Sequence, residues 1–236
     1  MGYRVSFGDG GGIPVVTKNL IIVTALCWVA SIALPRIGID PVNFLGLHFP
    51  GTKDFWPFQF VTYIFMHDTH SFTHIFFNMF AVYMFGRVLE EMWGAKRFLV
   101  FYLVTGIGAA LIQELTWLRY VSAFAAEQGT TVEAIIAGDP SLNLMITVGA
   151  SGSVFGILLA FGMTFPNAPL YIMFIPVPVK AKYMVIGYGV IELILGFSHM
   201  QGDVVAHFAH LGGMLFGYFM MLYWKKTDKG YEEYRY

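Results

Sequence analysis

Long apolar runs separated by short polar clusters set the pattern of this chain. Six runs are candidates for membrane-crossing helices: residues 18–35, 71–89, 97–118, a fourth within 142–165, 181–197 and 204–224. About 20 mostly apolar residues are needed to cross the hydrocarbon core of a bilayer. The first run follows a polar stretch from Arg4 to Lys18 and has no small-residue cleavage site behind it. It is therefore expected to be a retained span and not a cleaved signal. Met1-Gly2 with Ser6 fits a myristoylation pattern, here taken as a chance match. The expected fold class is all-α, a polytopic bundle of six transmembrane helices. Residues 1–17 would form a short cytoplasmic N-terminus, 18–224 the membrane domain and 225–236 a cytoplasmic tail.

Two connections stand out. Residues 36–70 are rich in aromatics and proline (Phe49-Pro50, Phe55-Trp56-Pro57-Phe58) and are expected at the membrane interface, where such rings reside. Residues 166–179 carry Pro166, Pro169, Pro176 and Pro178, which exclude a regular helix.

Composition narrows the class. The chain is 57% hydrophobic, 17% aromatic and 12% charged, with a net charge of −1. A soluble domain carries about 25% charged residues. This balance argues against a soluble enzyme, a disordered chain or a nucleic-acid binder, and supplies no basic field for phosphates. The lone Cys27 excludes a disulfide framework and a multi-cysteine metal site, and is expected to be a buried packing thiol. With the N-terminus inside, eleven Lys and Arg residues fall inside and three (Arg36, Lys53, Arg119) outside. That bias places both termini in the cytoplasm. The outer segment 119–141 is longer than a plain connector requires.

The fourth run contains Gly149-Ala150-Ser151-Gly152-Ser153 at its centre. Glycine disfavours helix and serine favours a helix start. A helix from Ser151 to just before Pro166, that is 151–165, spans about 22 Å at ~1.5 Å per residue, short of the ~30 Å core. Residues 142–150 would then be irregular backbone within the membrane, tolerated only when buried in protein or lining a wet cavity. The plainer reading is that Gly149, Gly152 and Gly156 permit close helix packing.

Polar residues inside spans are costly and are candidates for function. His74 and Asn78 are four apart on the second span, and His207 and His210 three apart on the sixth. Gly213 and Gly217 repeat the small-xxx-small spacing of Gly152 and Gly156. If spans four and six pack through these faces, Ser151 and His210 come within hydrogen-bond reach, the minimum for acyl-transfer chemistry. His74, Asn78 and the Ser151 backbone N–H could then face an oxyanion. His74 and Asn78 could equally be interhelical glue, and His207 and His210 the same or metal ligands. Glu192, alone in the fifth span, reads as a structural partner or a proton carrier. Glu90 and Glu91, beside Lys96 and Arg97, read as solvated surface, and His48, His67, His70 and His199 as interfacial.

Together these motifs resemble the rhomboid family of intramembrane serine proteases. Gly149-Ala150-Ser151-Gly152 matches its G-x-S-G. Ala209-His210-Leu211-Gly212-Gly213 with Gly217 matches A-H-x-G-G-x-x-x-G, and His74 to Asn78 matches H-x-x-x-N. The Trp93-Gly94-Ala95-Lys96-Arg97-Phe98 stretch and the aromatic loop are also similar to the family. The resemblance implies Ser151 as nucleophile, His210 as general base, and His74 and Asn78 as oxyanion donors. Gly149, Gly152, Gly156, Gly213 and Gly217 would shape the loop and the packing. It implies a dyad without an acidic third member, no cofactor, no metal, and transmembrane protein substrates cut near the outer membrane face. The minimal six-span form suggests a bacterial inner membrane. Residues 198–204 are expected to form a lid. Alternatives are a rhomboid-like protein that binds membrane clients without cutting them, and a haem, metal or proton-coupled transport protein built on His74, His207, His210 and Glu192. Substrate, cleavage preference and oligomeric state are not encoded legibly.

Overall fold

A computed structural model describes residues 12–171, 177–197 and 204–227. The expected lid at 198–204, His199, the first eleven residues and the tail beyond Thr227 lie outside these, apart from Val204. The fold is all-α with only four two-residue strands among the described residues. Three helical stretches are long and apolar enough to cross a membrane: Val15–Ile37, Phe72–Trp93 and Ala95–Glu127. Ser151–Thr164 is apolar but shorter.

Helix α1 (Val15–Ala33) starts after Pro14 with no cap from its own N-terminal side chains. The cap comes from elsewhere. After α2 (Pro41–Leu45), α3 (Gln59–Thr62) and α4 (Phe72–Ala81), a π-helical turn at Val82–Gly86 leads into α5 (Arg87–Trp93), and there Glu90 turns inward. Its carboxylate accepts from the backbone N–H groups of Val16 and Thr17 at 2.8 and 2.7 Å and from the Thr17 hydroxyl at 2.8 Å. The first N–H groups of a helix lack intrahelical partners and carry partial positive charge, so a carboxylate satisfies both needs. The solvated reading of Glu90 is thus corrected: it is 4% exposed. Glu91 keeps that reading, pairing with Arg87 at 3.3 Å while half-buried.

Helix α6 (Ala95–Glu127) has 33 residues, about 50 Å at ~1.5 Å per residue, and overshoots the expected end at residue 118. Backbone hydrogen bonding does not stop where hydropathy falls, and 121–127 is rich in alanine. The overshoot accounts for the length of the segment 119–141. With α7 (Val132–Gly138) it forms a small separate core of Phe49, Trp117, Val121 and Leu142. Phe49 meets Trp117 edge to face with ring centres 6.3 Å apart. Asp139 caps the turn at Pro140–Leu144, and the hydroxyl and N–H of Ser141 hold its carboxyl below the usual range.

The central elements are α6, α8 (Ser151–Thr164) and α10 (Val204–Thr227), with α9 (Ala181–Phe197) outside α8 and α10. Trp93, Phe101 and Trp224 stack into one aromatic cluster that ties α5, α6 and α10 together, with ring centres 5.2 to 5.9 Å apart. Outward faces remain apolar: Ile22, Leu26 and Val29 on α1 and Ile186, Val190 and Ile194 on α9 are exposed. Unpartnered apolar surface of this extent fits a lipid surround. Cys27 is half-buried, less enclosed than expected.

Candidate active site

The chain reaches Ser151 along irregular backbone that is held by the aromatic loop. Strand β1 (Leu47–His48) pairs antiparallel with β2 (Ile146–Thr147), Leu47 opposite Thr147 and His48 opposite Ile146. The Gly149 N–H donates to the Tyr63 carbonyl at 3.1 Å. The loop itself is organised by Gln59, fully buried. Its amide oxygen accepts from the His48 and Trp56 N–H groups at 3.3 and 3.1 Å. Its amide nitrogen donates to the Phe44 and Asp54 carbonyls at 3.2 and 2.9 Å. Irregular backbone at this depth therefore finds its partners in protein. Further along, β3 (Pro169–Leu170) pairs with β4 (Val179–Lys180) across the proline-rich connection.

Gly149 has φ +131°, a conformation that residues with a Cβ rarely adopt. It delivers the chain to Ala150, the helix cap, so that Ser151 is the first residue of α8. The expected capping role of Ser151 is not taken; its hydroxyl points to α10. Ser151 Oγ and His210 Nε2 are 2.8 Å apart. What brings them together is backbone contact between α8 and α10. A Cβ on Gly213 would collide with the Gly152 carbonyl, and one on Gly217 would lie 3.4 Å from the Gly156 Cα. Gly152 in turn leaves no room for a side chain against Ala109 of α6. Spans four and six do pack through their small-xxx-small faces, as the spacing anticipates.

The His210 ring lies flat on Phe155, one turn past Ser151, with centres 4.3 Å apart and planes 7° apart. On its far side the Nδ1 atom is 3.1 Å from Glu192 Oε2 of α9. The same oxygen is 2.6 Å from His207 Nδ1. His74 and Asn78 share α4, and the Asn78 amide donates to the His74 carbonyl at 2.9 Å. A Cβ built on Gly149 would meet the His74 imidazole edge at 3.1 Å and Ser151 Oγ at 3.7 Å, so both flank one glycine. Asn78 is 6% exposed.

Three residues escape a reading by hydropathy. His67, read as interfacial, is fully buried in the loop before α4, with its ring 5.0 Å from that of His74. Burial, and then the charge of His74, push His67 down to about 4. It is therefore neutral and accepts the Ala150 N–H at 3.4 Å. His48 is likewise buried, bonding through Nε2 to the Asn43 carbonyl at 2.7 Å. Glu192, read as a structural partner or a proton carrier and grouped with His207 and His210 only in the metal or transport alternative, sits against both histidines of α10. The one sequence signal for this was a glutamate in an apolar span, which always needs a partner. A cavity of about 670 Å³, lined by Gly51, Thr52, Glu133, Ile136 and Pro140 among others, shares no residue with this cluster.

The fold and site define a polytopic α-helical membrane protein with a serine–histidine pair enclosed in its helix bundle. Residues 53–226 match the family model described as the Rhomboid domain, and the chain belongs to the rhomboid family. It is 31% identical over 165 residues to Rhomboid protein 1, mitochondrial, of Saccharomyces cerevisiae, covering 70% of this chain and 41% of that one. It is 30% identical over 159 residues to RHOMBOID-like protein 12, mitochondrial, of Arabidopsis thaliana, covering 66% and 43%. It is 29% identical over 156 residues to Rhomboid protease AarA of Providencia stuartii, covering 61% and 48%. The chain thus spans two fifths to one half of the length of these relatives. Two of the three are mitochondrial by name, so they give the expected bacterial inner membrane no preference.

Proposed function

We propose that this protein is an intramembrane serine endopeptidase that cuts transmembrane segments of other membrane proteins. The carrying observation is Ser151 Oγ at 2.8 Å from His210 Nε2, at the start of a helix inside an apolar bundle. In this reading His210 takes the hydroxyl proton as Ser151 Oγ attacks the scissile carbonyl. The new C–O bond forms as the carbonyl π electrons move to oxygen. The backbone N–H of Ser151, free of intrahelical demand at the first helical position, faces that oxyanion. His74, across Gly149, and Asn78, one turn further along α4, supply the further donors. The tetrahedral species collapses, the C–N bond breaks, and His210 returns the proton to the leaving amine. Water then repeats the sequence on the acyl-enzyme. No cofactor is required.

Six spans carry the path: α1, α4 with α5, α6, α8, α9 and α10. Helix α8 has 14 residues, about 21 Å at ~1.5 Å per residue, too short for a ~30 Å core, which supports a serine lying below the membrane surface. The lysine and arginine bias supports cytoplasmic termini and a site toward the outer half. A substrate helix hides its peptide groups in hydrogen bonds, so segments with small or helix-breaking residues are favoured. The test is cleavage of a single-span substrate by the full chain in proteoliposomes. Wild type cleaves; Ser151→Ala and His210→Ala, with unchanged melting, do not. Equal cleavage by the Ser151→Ala protein refutes the reading. Retained client binding without wild-type cleavage favours the non-proteolytic rhomboid-like alternative.

A further inference from the structure

A general base that accepts at Nε2 carries its proton on Nδ1, and that N–H needs an acceptor. His210 Nδ1 is buried and makes no well-aligned hydrogen bond in the resting structure. An unmet buried donor costs about 1–3 kcal/mol. The acceptor within reach is Glu192 Oε2 at 3.1 Å, on a buried residue. A glutamate has three side-chain torsions and would not stay aimed unaided. His207, one turn before His210 on α10, holds it through the 2.6 Å contact to the same oxygen. Phe155 covers one face of the His210 ring while Glu192 lies at its Nδ1 edge, so both restrict how the imidazole can turn.

We infer that Glu192 is the positioning carboxylate of the Ser151–His210 pair, with His207 as its clamp. The inference rests on the protease reading of the pair. At rest Glu192 bonds mainly to His207. As Ser151 gives its proton to Nε2, His210 becomes a cation with Nδ1–H directed at Glu192. A shift of the carboxylate toward His210 then closes the 3.1 Å contact into a charge-assisted bond. The carboxylate stays ionised throughout, and no proton moves to it. This differs from the expected dyad without an acidic member.

The same three side chains could hold a metal ion, since their donor atoms lie within 4.8 Å of one another. The distances favour the hydrogen-bonded reading. Ligands around tetrahedral zinc at ~2.0–2.1 Å stand about 3.3 Å apart. The 2.6 Å between His207 Nδ1 and Glu192 Oε2 is instead that of a short charge-assisted hydrogen bond.

The test uses the full chain in proteoliposomes, with kcat and KM for a single-span substrate and labelling of Ser151 by a fluorophosphonate. Glu192→Gln is expected to lower kcat on the order of 10²-fold with KM unchanged, and Glu192→Asp to recover part of that loss. His207→Gln is expected to lower kcat about tenfold, since it acts through the acid. Wild-type kcat in Glu192→Gln overturns the inference. So does a parallel change of KM and melting temperature with no recovery by Asp. Should Glu192→Gln not fold, NMR of the wild type labelled with ¹⁵N-histidine decides: an Nδ1–H tautomer of His210 at rest, whose proton becomes strongly deshielded when the ring is protonated, supports the inference, and the Nε2–H tautomer refutes it. Absence of fluorophosphonate labelling in the wild type would instead strike the underlying protease reading, and the inference with it.

Discussion

Glu90 and Glu192 are both buried acids, 4% and 8% exposed, yet they sit in opposite kinds of surroundings. Glu90 meets two backbone N–H groups and a hydroxyl, donors that cannot titrate and belong to the start of α1. Glu192 meets two imidazoles, rings that can both donate and accept a hydrogen bond. The first is spent on closing a helix end. The second is coupled to a ring that also touches a serine hydroxyl. Burial and residue type are nearly equal, so the partners decide which acid is architecture and which bears on chemistry.

That contrast can be broken by mutation. The largest effect is expected from Glu192→Gln, which should cost turnover on the order of 10²-fold while leaving melting nearly intact. Gly213→Leu should follow: pushing α8 from α10 separates Ser151 from His210, and loss of both activity and about 3 kcal/mol or more of stability is expected. Glu90→Ala should behave in the opposite way to Glu192→Gln. It leaves two helix N–H groups buried and unmet, lowering stability by about 2 kcal/mol in a denaturant melt while kcat holds below the transition.

His67 adds a third kind of buried titratable group, one kept neutral. Its folded value near 4 lies below the ordinary ~6.5, so the unfolded chain binds the extra proton first. Stability should therefore fall as pH drops from about 6.5 toward 4, and His67→Gln should flatten that fall in melts across the same range. The smallest effect belongs to Glu91, whose pair with Arg87 is half-exposed; Glu91→Gln should shift stability by less than about 0.5 kcal/mol. Equal responses of Glu90 and Glu192 in both assays would remove the distinction drawn here.

The same comparison shows what was legible in the sequence. Hydropathy located the apolar helices, and the paired small-xxx-small spacings anticipated that α8 and α10 would touch, because glycine spacing dictates backbone approach directly. The break before Ser151 was legible for a similar reason: glycine and helix length act locally. The partners of Glu90, His48 and His67 were not, since each lies on a different element from the residue it satisfies, or at the far end of a loop; Glu192 was joined to His207 and His210 only as a metal or transport set. Gln59 bonds to four backbone groups of the aromatic loop and carries no motif at all. The end of α6 was missed because hydropathy marks where lipid stops, and helical hydrogen bonding continues past it.

The central claim is that Ser151 is a nucleophile activated by His210 within the bundle. Fluorophosphonate labelling of the full chain in proteoliposomes, read by mass spectrometry of the modified peptide, tests it most directly. Modification at Ser151 is expected, and it should disappear in His210→Ala protein of unchanged melting temperature. Absence of labelling at Ser151 in the wild type, or labelling that persists without His210, would contradict it.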